Sequence, residues 1–136
     1  MRLNDCGVRF EEDSHTYWLG ELQLQGITGV ILKHLFPDKY ANVPEDMLKR
    51  AAERGHIVHE DIFWYNMTGI KRSVEAEWYA ELKEKSGFNV VDSEYLVTDG
   101  KNFASAIDQV VDMDGIFLAD IKTTYKLDME YLSWQL

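Results

Sequence analysis

At 136 residues and 46% hydrophobic content, the chain has room for one globular domain with a real core. Cys6 is the only cysteine, which excludes an internal disulfide and any four-cysteine zinc or iron–sulfur site built from this chain alone. The net charge of −10 has the wrong sign for a protein held to nucleic acid by a broad basic surface. No apolar run reaches about eighteen residues, and the N-terminus lacks the charged-then-apolar layout of a signal peptide. A cytoplasmic protein with no membrane partner is expected.

In chain order, Val8–Phe10 and His15–Leu19 flank the turn-like Glu11-Glu12-Asp13-Ser14 and predict a small β-hairpin, with His15 a strand residue facing solvent. Leu22 to Ile27 adds a short strand. Thr28 is placed to cap a helix through Val30, Ile31 and Leu35 that Pro37 stops. Pro44 suits a first helical position, and Glu45 and Asp46 complement the positive end of the helix dipole. From there to about Met67, Leu48, Ala51, Ala52, Gly55, Val58, His59, Ile62 and Phe63 recur at helical spacing.

Glycine inside a helix costs about 1 kcal/mol relative to alanine, so Gly55 needs a reason. One turn later on the same face stands His59. A missing side chain at Gly55 lets the helix press close to a sheet while His59 reaches over its edge. His56, His59 and Glu60 do not have the spacing of a zinc hydrolase, whose histidines stand four apart with glutamate after the first, or in the inverted order. His56 therefore reads as surface. Ser73 caps a second helix through Trp78, Tyr79, Leu82 and Lys85 to Gly87, with its aromatic residues read as core rather than as base-stacking groups.

Val90–Val97 reads as a strand, turned at Thr98-Asp99-Gly100 into the strand that carries Asp108. In that register Glu94 pairs with Ala104, on the face of Asp108 but roughly 13 Å from it at about 3.4 Å per residue. The strands Phe103–Val111 and Ile116–Thr123 form a hairpin around Asp112-Met113-Asp114-Gly115. With a three-residue loop, Met113 and Asp114 in a type I turn and Gly115 left-handed, Asp112 pairs with Ile116. Asp108 then faces Asp120, and Lys122 shares their side of the sheet. A two-residue turn slips the register and sends Asp108 to the other side. Both strands are apolar on both faces, which predicts that Asp108, Asp120 and Lys122 are partly buried. Two facing carboxylates call for a divalent cation, and oxygen ligation suits Mg²⁺ or Mn²⁺. Beyond the hairpin, Asp128 is a good N-cap for an amphipathic helix over Met129–Leu136, which reaches the end of the sequence without a C-cap.

Asp108, eleven intervening residues and Asp120-Ile121-Lys122-Thr123-Thr124 resemble the active-site hairpin of the PD-(D/E)XK nuclease superfamily, in its RecB-like, phage-type exonuclease branch. Gly55-His56-Ile57-Val58-His59 is similar to the Gly-x-x-x-His motif of that branch. His15-x-Tyr17 with the helix start near Thr28 resembles its lead-in, and Ser93-Glu94-Tyr95 resembles its upstream glutamate. Gln135 matches the glutamine of a Gln-x-x-x-Tyr motif whose tyrosine position falls beyond Leu136. One departure is Ala104-Ser105-Ala106, where the family often carries glycine.

The resemblance implies an α/β, restriction-endonuclease-like core over residues 1–136: a central mixed β-sheet flanked by helices, with the last helix cut short. It implies a Mg²⁺- or Mn²⁺-dependent deoxyribonuclease acting on linear single- or double-stranded DNA, in a phage or recombination and repair setting, with a recombination or helicase protein as a further partner. Asp108, Asp120, His59 and the Ile121 carbonyl would hold the metal. Lys122 would orient the attacking water, Glu94 would assist, and Thr123 and Gln135 would contact DNA. The rival reading is an inactive module of the same fold that binds DNA or a partner protein.

Overall fold

Strand-forming runs at both ends of the sequence are brought into one sheet by the helices between them. The computed structural model describes residues 3–124 and 127–135. In chain order its elements are β1 (Arg9–Glu11), β2 (Thr16–Leu19), β3 (Leu22–Gly26), α1 (Ile27–Leu35), α2 (Glu45–Thr68) and α3 (Val74–Ser86). They continue with β4 (Asn89–Thr98), β5 (Phe103–Asp112), β6 (Ile116–Ala119) and α4 (Met129–Gln135). The six strands form a mixed sheet ordered β1-β2-β3-β5-β4, with β6 also paired to β5. β3 and β5 run parallel through Gln25↔Phe103 and Gly26↔Ala104, while the other pairs are antiparallel. The chain is therefore α/β, with helices flanking a mixed sheet. None of the described helices is long and apolar enough to cross a membrane.

β5 is central: β4 lies along one side for its whole length, and the other side is shared by β3 at its start and β6 at its end. Val8, Tyr17, Leu24 and Ala104 form a buried cluster with Cys6, Phe10, Leu19 and Leu96 packed on it. Val58 and Ile62 of α2 and Ala76 and Ala80 of α3 are buried as well. The connection between these two helices doubles back along α2. Arg72 comes near Asp61 (3.9 Å) and Glu75 reaches Arg54 (3.2 Å).

Local expectations meet the structure unevenly. Ser73 caps α3 by accepting from the Ala76 N–H, and α3 closes on left-handed Gly87. Asp128 accepts from the Tyr131 N–H at the start of α4. Thr28, however, is not a cap. α1 begins at Ile27, because the chain enters it from the extended Gly26, whose position offers no side-chain bond. Pro44 sits at the cap of α2 and not inside it, with ψ 140°, an extended value that its fixed φ allows. His15 lies in the turn before β2 with φ 52°, not in the strand. Trp78 is 63% exposed, contrary to the core reading. β6 ends at Ala119, since residues 120–124 leave the sheet, and Phe117 and Leu118 stand exposed on it.

Candidate metal centre

The β5–β6 hairpin has the three-residue tip that puts its acids on one side. Asp112 pairs with Ile116 and Gln109 with Ala119, so the next position brings Asp120 opposite Asp108. The tip itself differs from a type I turn followed by left-handed glycine. Asp114 takes the left-handed conformation (φ 54°), Gly115 has φ 148°, and the Met113 N–H donates to the Gly115 carbonyl. Aspartate tolerates the left-handed region better than most residues, so the loop keeps its length with another dihedral pattern.

Asp108 is the hub. Its side chain is 14% exposed, Oδ2 accepts from the Ile121 N–H at 2.8 Å, and the carboxyl of Asp120 stands close beside it. Burial, and then the neighbouring Asp120 carboxyl, push Asp108 up to about 7, outweighing the Ile121 N–H and the charge of His59. Such a shift marks a place where acids share too little positive charge.

His59 enters from α2. Its Nε2 lies 2.9 Å from the Ile121 carbonyl, which can only accept, so Nε2 carries the proton. Nδ1 then faces the acids, 3.8 Å from Asp108 Oδ1 and 4.0 Å from Glu94 Oε1. The imidazole is held above the ordinary histidine range, chiefly by the Glu94 carboxylate. Burial opposes this, while Asp108 and the Ile121 carbonyl add to it. The Ile121 carbonyl, expected as a metal ligand, thus anchors the histidine and keeps one lone pair free. Gly55 also has its reason: a Cβ there would come within 3.3 Å of Thr123 Oγ1. What presses against the helix is the segment after Lys122 and not the sheet.

Glu94 corrects the register expected for β4. Thr98 pairs with Ala104, Leu96 with Ala106 and Tyr95 with Ile107, which sets Glu94 opposite Asp108, not Ala104. The turn lies further along than Thr98-Asp99-Gly100. Asp99 Oδ1 accepts from the N–H groups of Lys101, Asn102 and Phe103, so the loop is Gly100-Lys101-Asn102. An aspartate able to cap three amides was the available signal in the sequence. Glu94 adopts φ 52°, a strained value for a residue in a strand. Tyr17, part of the His15-x-Tyr17 lead-in, lies within the field of Glu94. The Tyr17 phenol is pushed up by burial and by the charge of Glu94.

Together, His59, Glu94 and Asp108 each present one ligand atom, all within 4.8 Å of one another. Asp120 lies outside that trio, on the far side of Asp108, with Lys122 Nζ 2.8 Å from its Oδ2. Comparisons with protein-family models, with curated proteins and with solved structures found no match. The donor set must therefore speak for itself. One imidazole and two carboxylate groups at this spacing could hold a divalent cation, without selecting among metals.

Beside this centre a cavity runs between the start of α1 and the hairpin, lined by Thr28, Ser105, Asp108, Leu118, Asp120 and Gln135. Gln135 Nε2 reaches Thr28 Oγ1 (3.4 Å) and the Tyr131 hydroxyl (3.2 Å), and its Oε1 is buried without a partner among the described residues. Thr123 lies against Gly55, away from that lining. His56 is exposed, 3.8 Å from Glu12, and contributes nothing to the centre.

Proposed function

We propose that the chain is a metal-dependent deoxyribonuclease of the PD-(D/E)XK, RecB-like type, built on a restriction-endonuclease-like core and hydrolysing DNA phosphodiester bonds. The observation that supports this best is the convergence on Asp108. His59 Nδ1 and Glu94 approach it from one side, and the Asp120–Lys122 pair from the other. Residues far apart in sequence supply a cation-binding face with a lysine beside it.

A Mg²⁺ or Mn²⁺ ion held by His59, Glu94 and Asp108, with Asp120 completing the set, would neutralise phosphate charge and make water acidic enough to attack at neutral pH. The protein's own groups do the rest. Asp108 is oriented by the Ile121 N–H and His59 by the Ile121 carbonyl, so the backbone of one residue orients both side chains. Asp120 holds the Lys122 ammonium within reach of the same centre, where it orients the attacking water and stabilises the charge that develops on the phosphoryl oxygens. With a net charge of −10, DNA must be gripped locally, along the cavity that Thr28, Ser105 and Gln135 line next to the acids.

The test is incubation of the chain with linear single- and double-stranded DNA in Mg²⁺, Mn²⁺ or chelator. Metal-dependent loss of DNA that disappears in Asp120→Ala and Lys122→Ala is the expected result. Retention of DNA on the protein without any loss, unchanged by either substitution, would overturn the enzymatic reading in favour of a binding module.

A further inference from the structure

Helix α3 turns Tyr79 inward against Tyr65 and Phe88 but carries its other large apolar residues outward. Its buried positions are the small Ala76 and Ala80, while Val74, Trp78 and Leu82 are exposed, Trp78 most of all. Amphipathic helices that merely cover a sheet show the opposite arrangement. Val74, Trp78 and Leu82 stand at i, i+4 and i+8, so they form one stripe along the helix. At 3.6 residues per turn, Glu77, Glu81 and Glu84 fall in a row along one border of that stripe. Glu81 is paired with Lys85 at 2.8 Å, whereas Glu77 and Glu84 have no cationic partner among the described residues.

We propose that this face of α3 docks a basic amphipathic helix of a partner protein. Thirteen residues give α3 a length of about 20 Å. That matches a partner helix presenting apolar anchors at i, i+3 or i+4, and i+7 to the stripe, with Lys or Arg along the glutamate row. Charge decides among the occupants. A second copy would set its own glutamates against these in a pair of chains each carrying −10, and an anionic membrane surface is repelled in the same way. Trp78, flanked by two aliphatic residues, has the character of an interface anchor.

The experiment uses the whole chain and a fluorescently labelled amphipathic helical peptide of leucine and lysine, with a leucine–glutamate peptide of the same pattern as control, read by anisotropy. The lysine peptide binds and the glutamate peptide does not. Trp78→Ala weakens binding at least about tenfold. Glu77→Lys with Glu84→Lys abolishes it, while Glu12→Lys with Glu21→Lys, the same charge change on the N-terminal hairpins, leaves most of it. Circular dichroism on every variant confirms that each is folded before its affinity is compared. Equal loss from both charge-reversal pairs, or an unchanged Kd in Trp78→Ala, overturns the proposal. So does concentration-dependent dimerisation in sedimentation that Trp78→Ala removes, since the occupant is then a second copy. Binding to phosphatidylserine vesicles that Trp78→Ala removes overturns it too, in favour of a lipid surface.

Discussion

His59 and Asp108 are joined through the backbone of a single residue: Ile121 donates its N–H to Asp108 and accepts the Nε2 proton of His59 on its carbonyl. The imidazole tautomer is thereby set with Nδ1 toward the acids. Replacing His59 with alanine removes a proposed ligand together with its hydrogen bond to Ile121. Mn²⁺ affinity should fall by more than the ~10- to 100-fold typical of losing an outer partner. Titration calorimetry with Mn²⁺ checks this, and equal affinity in the variant would show that Nδ1 is not a ligand.

Asp108→Asn separates stability from metal binding. The amide oxygen can still accept from the Ile121 N–H, and the new N–H₂ can donate to Asp120, so the repulsion between acids is replaced by a hydrogen bond. Without metal at pH 8, the variant should be more stable by on the order of 1 to 3 kcal/mol. Divalent cations should no longer raise its melting temperature. A variant less stable than the parent under these conditions would mean that Asp108 is not strained by its neighbours.

The pH dependence of the metal-free protein follows from the same groups. Asp108 titrates near 7 when folded against 3.8 ordinarily, so the folded chain binds this proton more tightly, and stability falls as pH rises between those values. His59, also raised, adds stability below its ordinary 6.5 that is lost as pH climbs through its folded value. Asp99 and Asp128 work in the opposite sense. The Phe103 N–H and its neighbours lower Asp99, and Lys39 lowers Asp128, so their contribution is lost only as pH drops below about 3.8. Thermal melts in chelator should therefore show a higher midpoint at pH 5 than at pH 8. Saturating Mn²⁺ should reverse that order, because the ion replaces the protons.

Much of this was legible in the sequence because it depends on local rules. Alternation and a three-residue tip placed Asp108 opposite Asp120, and a glycine one turn before His59 implied a close approach. Capping chemistry marked α3 and α4 through Ser73 and Asp128. The failures came where tertiary context decides. The turn read at Thr98-Asp99-Gly100 falls too early in the chain, and the sheet moves Glu94 from Ala104 to Asp108. Helical spacing marked the aromatic residues of α3 but could not say which would face out, so Trp78 was misread. That Thr123 is what meets Gly55 depends on a segment leaving the sheet, which no periodicity encodes.

Glu94 gives the sharpest test, because its backbone and its side chain make separate claims. A left-handed conformation in a non-glycine residue costs on the order of 1–3 kcal/mol, a strain that persists only where the surroundings enforce it. Glycine relieves that strain, whereas alanine keeps it. In an ordinary strand, glycine is the worse of the two by about 0.5–1 kcal/mol. Here Glu94→Gly should be more stable than Glu94→Ala, inverting the order, while both lose Mn²⁺ affinity equally through the missing carboxylate. If denaturant melts show alanine the more stable, the strain at Glu94 is not real. If metal affinity survives in both, the carboxylate faces His59 without taking part in the centre.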